Sequence, residues 1–565
     1  MRAWLCALAF ASAPAPAADS LPLLHPLFSD HAVVQRGRPI PVWGWAAPGE
    51  SVRVTLANAS LSARASDTGR WEVQFPAMEA GGPYELTVQA ASGASQHARD
   101  VLVGEVWLCS GQSNMVLEVH RTLNSRAEIA DAHNDSIRML TVGEAGSYTP
   151  LEAFAAPVQW LPATSAHVAG FSATCYYFAR ELQQTVKVPM GLITAAWGGS
   201  NIQTWMSHDA VRATGYYDEL LALLDLNESD PPAARRRWGT LWESWWKSHV
   251  PTKSGDEPWS AAPLREKQWH AVPSLTEVWE KWGMAELANF NGMVWYRTTF
   301  RLTAKQARQP ARLSLGPIDE VDNTWLNGTA VGYTSGAGTD REYEIAPRVL
   351  RAGDNVLVIN ALDTYGSGGI HGPADKRVLH LGDGSGVALD EPWHYQVAPT
   401  IPGRAPRAPW EPVRGLTVIH NAMIAPLVPY GLKGVLWYQG ESNTDDTDRY
   451  QRLLAGLMAD WRRKFGAELP FLVVQLANYG PVATQPAESG WAGVRDAQRA
   501  AVAEDAHAGL TVTIDIGDPY DIHPANKQEV GRRLARAARH VVYGESLAPS
   551  GPVARSAHIE GGRVV

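Results

Sequence analysis

Three textures of apolar and polar positions follow one another along the chain. Between residues 22 and 100, short runs alternate residue by residue, as in Ser51-Val-Arg-Val-Thr-Leu56, Trp71-Glu-Val-Gln-Phe75 and Tyr84-Glu-Leu-Thr-Val88, with Ile40-Pro-Val-Trp-Gly-Trp45 ahead of them. Pro and Gly punctuate the runs and no helical period intervenes, which predicts a small β-sandwich. From Val101 the runs become continuously apolar, over 101–109, Ile137–Val142 and Met190–Ala196, and a helical pattern over Thr174–Val186 precedes the third. Such strands are covered on both sides, so they predict strand–helix–strand units of a parallel sheet.

The parallel texture then stops. Residues 225–285 carry Arg235-Arg-Arg-Trp238, Trp242, Trp245, Trp246, Trp259, Trp269, Trp279 and Trp282 without clean periodicity. A second all-β block follows, with runs at Gly292–Arg301, Ala311–Leu315, Asp322–Gly328 and Asn355–Asn360. At about residue 416 the strand–helix alternation resumes. Strands are predicted at Gly434–Tyr438, Phe471–Leu476 and Leu510–Ile516, and helices at Asp446–Lys464, Trp491–Val502 and Asn526–Val542. Neither α/β segment makes a sensible domain alone, so together they predict one six-stranded parallel sheet interrupted by an inserted β domain. The division read from these textures is an N-terminal β-sandwich at 19–100, the α/β domain at 101–224 and 401–545, the insertion with its Trp-rich lead-in at 225–400, and a tail at 546–565.

Composition adds compartment and excludes some partners. Residues 1–18 hold one early Arg, a short apolar core and small residues up to Ala18. This pattern predicts a cleaved export signal and a secreted, periplasmic or extracellular protein, and it is too short for a membrane span. No later segment is long enough to span one. Beyond Cys6 only Cys109 and Cys175 remain, which is no disulfide framework, and whether they pair stays open. A net charge of −9 with no basic block points away from nucleic acid and anionic membranes. The 23 tryptophans suit either core packing or sugar-stacking platforms. Oligomeric state is not legible.

Four stretches fall at predicted strand ends: Gly111-Gln-Ser-Asn-Met115, Trp197-Gly-Gly-Ser200, Gln439-Gly-Glu-Ser-Asn443 and Asp518-Pro-Tyr-Asp-Ile-His-Pro524. Each alone is an ordinary turn. In an open parallel sheet, however, working groups gather past the strand C-termini, and these four supply what acyl transfer needs. Ser113 is a candidate nucleophile on a tight strand-to-helix turn. The Gly198-Gly199 turn offers a bare backbone N–H, and Gln439 or Asn443 a side-chain amide, for an oxyanion. His523 can take the serine proton, with the Asp521 carboxylate two residues earlier to orient it. Gln112, Asn114 and Glu441 in the same motifs, with Arg495, are the substrate-contact candidates. No metal-ligand spacing and no dinucleotide-binding glycine pattern occurs, so neither a metal nor another cofactor is expected.

Gly-Gln-Ser-Asn-Met, Trp-Tyr-Gln-Gly-Glu-Ser-Asn and Asp-Ile-His-Pro, in this order, resemble the sialate O-acetylesterases and related carbohydrate acetylesterases of the SGNH hydrolase superfamily. Asn421-Ala-Met-Ile-Ala-Pro-Leu427 and Trp491-Ala-Gly-Val-Arg-Asp-Ala-Gln498 fit the same pattern. The β block, with Trp325-Leu-Asn-Gly328, Gly332 and the Gly353-Asp-Asn-Val356 turn, resembles the galactose-binding-like jelly roll of β-galactosidases. The resemblance implies a flavodoxin-like α/β/α hydrolase domain interrupted by a jelly roll. It implies Ser113 as nucleophile, His523 as base, and an oxyanion hole of the Ser113 N–H, Gly199 and Asn443 or Gln439. It departs at the orienting Asp: the family's place three residues before the His is Tyr520, which leaves Asp521, Asp518 or a backbone carbonyl. The implied substrate is an O-acetylated sugar, sialic acid first, with acetylated xylan or pectin as alternative. Sialate calls for a cation near the site, for which Arg495 and Arg449 are candidates. A glycosidase, needing a second carboxylate opposite Glu441, and a non-catalytic sugar binder are the rival classes.

Overall fold

The computed structural model describes residues 21–253, 255–264, 268–346, 348–390, 392–552 and 556–565; the leader read at 1–18 lies outside them. Its central layer is a sheet in which strands Ala508–Thr511, Phe471–Val474, Gly434–Tyr438, Ser95–Gly111, Met190–Ala196, His133–Thr141 and Trp160–Thr164 lie side by side. The first six run parallel, and only Trp160–Thr164 is antiparallel to its neighbour. Five of the six parallel strands lie where the apolar runs predict; the sixth, Ala508–Thr511, shares only Leu510 and Thr511 with the predicted Leu510–Ile516, whose remainder is turn and loop. Met190–Ala196 and Gly434–Tyr438 are buried at every position, as helices on both sides require. The helices Ala173–Val186, Thr447–Phe465, Gly490–Ala503 and Lys527–Val541 match their expected positions to within a residue or two.

Chain order and spatial order differ at one place that matters. The strand ending at Gly111 lies between Met190–Ala196, reached through the first half of the chain, and Gly434–Tyr438, reached only after the insertion. Connections leave this strand toward one edge first and the other edge later. A crevice therefore opens past its C-terminus, where a parallel sheet can receive a ligand. Crowding there explains the glycine at position 111. Its φ is +139°, and a Cβ would come within 2.1 Å of the Tyr438 carbonyl oxygen on the adjacent strand.

The N-terminal strands form as predicted, and they join the central layer through one unbroken strand. Ser95–Gly111 pairs antiparallel with Gly81–Ala90 at its start and enters the parallel sheet at its end, running straight through Val101, where the texture changes. The block after residue 270 forms two antiparallel sheets, of six and five strands. Period-two alternation divides the residues of strand Gly292–Leu302: Val294 and Tyr296 enter the core shared with the second sheet, while Met293 and Trp295 join the core facing the rest of the chain.

The Trp-rich stretch departs from expectation. Residues 218–249 are two helices, Asp218–Ser229 and Pro231–His249. Trp238, Trp242 and Trp246 recur every fourth residue and are buried, which is the face of a helix that docks on the β block. Trp242 packs edge-on or tilted against Trp295 and Trp325 at 5.8 and 5.4 Å between ring centres. The tryptophan excess thus goes largely into packing: among the described residues thirteen of the 23 are at most 2% exposed.

Candidate active site

At the crossover, the strand ending at Gly111 turns into a single helical turn, Ser113–Val116. The Gln112 N–H donates to Tyr438 O (2.9 Å) and the Trp197 N–H to Gly111 O (3.0 Å), so both neighbouring strand ends are stitched to this turn. Ser113 sits half-buried at the first helical position, and its hydroxyl has no hydrogen-bond partner among the described residues. A Cβ built on Gly198 would lie 3.5 Å from the Ser113 Cβ, in van der Waals contact, so this turn packs directly beside the serine. The adjoining Gly199, with φ +73°, takes the left-handed turn that exposes backbone N–H groups.

The two amide candidates separate. Gln439 is fully buried, and its Nε2 donates to Ser200 O (3.0 Å) and Asn443 Oδ1 (2.8 Å), while its Oε1 accepts the Tyr450 hydroxyl (2.8 Å). Both of its donors are spent, so Gln439 is corrected from oxyanion donor to scaffold of the loop. Asn443 is also buried, but its Oδ1 takes the structural bonds, from Gln439 and from the Ile202 N–H (3.0 Å). Its Nδ2 has only a long 3.5 Å approach to Gln203 Oε1. Gln439 orients the Asn443 amide so that its N–H₂ end is the uncommitted one.

The residues flanking Ser113 tie loops together through part of their polar groups, while Glu441 Oε2 is left without a hydrogen-bond partner among the described residues. Gln112 Oε1 accepts the N–H groups of Gly440 (3.3 Å) and Ser442 (3.2 Å). Asn114 Nδ2 donates to Glu441 Oε1 (2.6 Å) and to Ile522 O (2.9 Å), the carbonyl preceding His523. Lys527 Nζ completes the set by donating to Asn114 Oδ1 (2.7 Å) and Pro524 O (2.8 Å). The loop bearing His523 is thus fastened on both sides of the histidine to the residue after Ser113. Burial raises the Glu441 carboxyl pKa and lowers that of Lys527 to about 7.

Lys527 escapes a reading by motif, yet the sequence holds a signal. A lysine at the first position of a helix opposes the positive end of the helix dipole, so it needs another reason to be there. Arg495 is the other substrate-contact candidate to change role. Its Nε and Nη2 donate to the carbonyls of Leu476 and Ala477, pinning the end of a neighbouring strand. Arg449 lies over the rings of Tyr216 and Tyr217.

His523 is half-buried and makes no hydrogen bond to Ser113 in this state. Burial lowers its pKa below the usual 6.5, with Asp521 acting in the opposite direction. Asp521 Oδ1 accepts the backbone N–H of His523 (2.8 Å) and lies 3.7 Å from its Nδ1. The carboxylate therefore shapes the turn and stands near the ring without hydrogen-bonding it. Asp518 is spent similarly on the Tyr520 N–H (2.8 Å), and Tyr520 itself points to solvent. Cys109, two residues before Gly111, is disulfide-bonded to Cys175 in the first turn of helix Ala173–Val186, settling a pairing the sequence leaves open. Among the described residues no group of three or more His, Cys, Asp or Glu could hold a metal, and no helix is long and apolar enough to cross a membrane.

Comparison with known proteins bears on this geometry. The chain matches the family model described as carbohydrate esterase, sialic acid-specific acetylesterase, over residues 103–243 and 414–540. It is 24% identical to the sialate O-acetylesterase of Mus musculus over 547 residues, 91% of this chain and 72% of that protein. It is 36% identical to the sialate O-acetylesterase of Homo sapiens over 192 residues, 31% of this chain and 36% of the relative. A solved carbohydrate acetylesterase from Xanthomonas citri aligns at 26% identity with a TM-score of 0.57, over 96% of this chain and 80% of that one.

Proposed function

We propose how this chain, an ester hydrolase whose residues 103–243 and 414–540 match the sialic acid-specific acetylesterase family of carbohydrate esterases, works and on what. It removes O-acetyl groups from sugars, O-acetylated sialic acid first among them, by way of an acetyl-serine. Ser113 Oγ attacks the acetyl carbonyl carbon while His523 takes the hydroxyl proton. The oxyanion that forms is met by the N–H groups of Ser113 and Gly199 and by Asn443 Nδ2. The carbon–oxygen bond to the sugar breaks, and the sugar oxygen leaves with the proton held by His523. Water then attacks the acetyl-serine, giving its proton to His523, and acetate departs as Ser113 is re-protonated.

In this reading the parallel layer is of the SGNH type, the β block is a jelly roll inserted into it, and the N-terminal strands are a separate sandwich. The protein acts after export, and the buried disulfide beside the nucleophile suits an oxidising compartment.

The observation that carries the proposal is Ser113 itself. Its unpartnered hydroxyl stands beside Gly198 at the sheet's crossover, and the His523 loop is bonded to the next residue, Asn114. Acetate release from p-nitrophenyl acetate and from O-acetylated sialic acid tests it. Ser113→Ala and His523→Ala are each expected to lower kcat by about a thousandfold or more. Activity that survives Ser113→Ala would sink the proposal. Preference for acetylated xylose over the sialic acid would shift it to cell-wall polysaccharide.

A further inference from the structure

A lysine opens the helix Lys527–Val541 just past the His523 loop, and its side chain is wholly buried. Burying an ammonium is costly unless its donors are bonded and its charge is met. Two of its three N–H donors go to Asn114 Oδ1 (2.7 Å) and Pro524 O (2.8 Å). The ring of Tyr438, at the end of the strand beside Gly111, lies 5.5 Å from the nitrogen, a cation–π distance. Glu441 and Asp521 are the carboxylates that favour its charge, and Arg121 is the cation that opposes it.

The bonds of Asn114 explain what the lysine does. Nδ2 of Asn114 donates both hydrogens, to Glu441 Oε1 (2.6 Å) and Ile522 O (2.9 Å), while Oδ1 faces Lys527. An ammonium can only donate, so it dictates which end of this amide turns toward it. Turned over, the amide would set its oxygen against the Ile522 carbonyl and the Glu441 carboxylate, acceptor against acceptor. Lys527 therefore holds Pro524 O directly and Ile522 O by way of Asn114, the carbonyls on either side of His523. The next residue along is tied as well, since the Leu123 N–H donates to Ala525 O (3.0 Å).

The charge also reaches the imidazole. Burial is the main cause lowering the His523 pKa; Asp521 opposes it, and the Lys527 and Arg121 cations reinforce it. Lys527, with a pKa of about 7, carries its proton below that value, through the range in which His523 titrates. Above it the neutral amine keeps two N–H donors, so the bonds to Asn114 and Pro524 outlast the charge.

We propose that Lys527 is a positioning residue for the deacetylation: through Asn114 and Pro524 it holds the His523 imidazole toward Ser113, and its charge keeps that imidazole unprotonated. A reacting group displaced by about 1 Å loses on the order of a hundredfold in rate, which sets the scale of the effect. This role deepens the esterase reading, on which its kinetic test rests.

Lys527→Met, which keeps the length and loses every N–H, should lower kcat on p-nitrophenyl acetate about ten- to a hundredfold with KM little changed. The acid limb should move up, by less than about one pH unit, because a cation near His523 is gone. A purely structural lysine would lower stability and leave the limb in place. Lys527→Gln, which loses the charge and keeps an N–H₂ group, should shift the limb equally and retain more kcat. It carries both readouts if the Met variant does not fold. Imidazole NMR titration of histidine-labelled protein, with the His523 signal identified by its loss in His523→Ala, reads the same shift without turnover. It therefore tests Lys527 even if Ser113 is not the nucleophile. A folded Lys527→Met protein with wild-type kcat, or with a His523 titration that is unmoved or moves down, would overturn the proposal.

Discussion

Replacing Asp521 by Asn asks how much a carboxylate contributes when it stands close to the base without bonding it. Asn keeps the oxygen that accepts the His523 N–H, so the turn survives and only the charge is lost. At 3.7 Å the attraction between Asp521 and a protonated His523 is worth about 1 kcal/mol in a water-like dielectric and about 4 kcal/mol at an effective value of 20. The Asp521 side chain is 60% exposed, which places it near the watery end and leaves roughly 1 kcal/mol after screening. The expected loss in kcat is therefore about five- to tenfold, against the ~10⁴-fold seen when a buried, hydrogen-bonded triad aspartate loses its charge.

The pH dependence has a fixed sign. Burial already holds His523 below 6.5, so the neutral base persists into mild acid and the acid limb of kcat/KM lies below that value. Removing Asp521 removes a contribution that raises this pKa, and the limb moves further down, by less than about one pH unit. The assay is acetate release from pH 4 to 9 for both proteins. A thousandfold loss, or a limb that moves upward, would refute the reasoning and mean that the carboxylate closes onto the ring when substrate binds.

Asn443→Ala should cost about a hundred- to a thousandfold in kcat with little change in KM, whereas Gln439→Ala should show itself first as a lower denaturant midpoint, because its bonds hold the loop. Lys527→Met should alter the stability profile. In the wild type the folded lysine has a pKa of about 7, below its unfolded value, so the unfolded chain binds the extra proton between about pH 7 and 10. Urea midpoints should accordingly rise with pH across that window in wild type and be flatter in the variant; identical slopes would show that Lys527 does not carry the effect. Reduction of Cys109–Cys175, which closes a 66-residue separation, should remove about 4 kcal/mol on chain-entropy grounds, read as a lower unfolding midpoint in reductant; an unchanged midpoint would contradict it.

The parallel strands were legible because burial on two sides leaves almost no polar residue in them, and the long amphipathic helices because their period is regular. The helix Pro231–His249 was obscured by its own richness. Trp242, Trp245 and Trp246 crowd one stretch, and only the docked helix reveals that Trp238, Trp242 and Trp246 form the buried face while Trp245 stays partly exposed. Ser113, His523, Asp521, Gly199 and Asn443 stand out as candidates because loops at strand ends carry chemistry in short motifs. What those motifs hid was the division of labour inside them. Asn443 and Gln439 are both amides four residues apart, and only hydrogen-bond partners tell the one with a spare donor from the one without.

The sequence by itself determined the elements, their order and the chemical types available at each strand end, since these follow from local periodicity, turn residues and side-chain identity. Tertiary structure decided everything that depends on partners distant in the chain. It set Ser113 at the point where the sheet changes direction, paired Cys109 with Cys175, and turned Gln112, Asn114, Glu441 and Lys527 into the fastening between three loops, with bonds that span 327 to 413 residues. Residue type says what a group can bond; only the folded chain says which bonds are already taken.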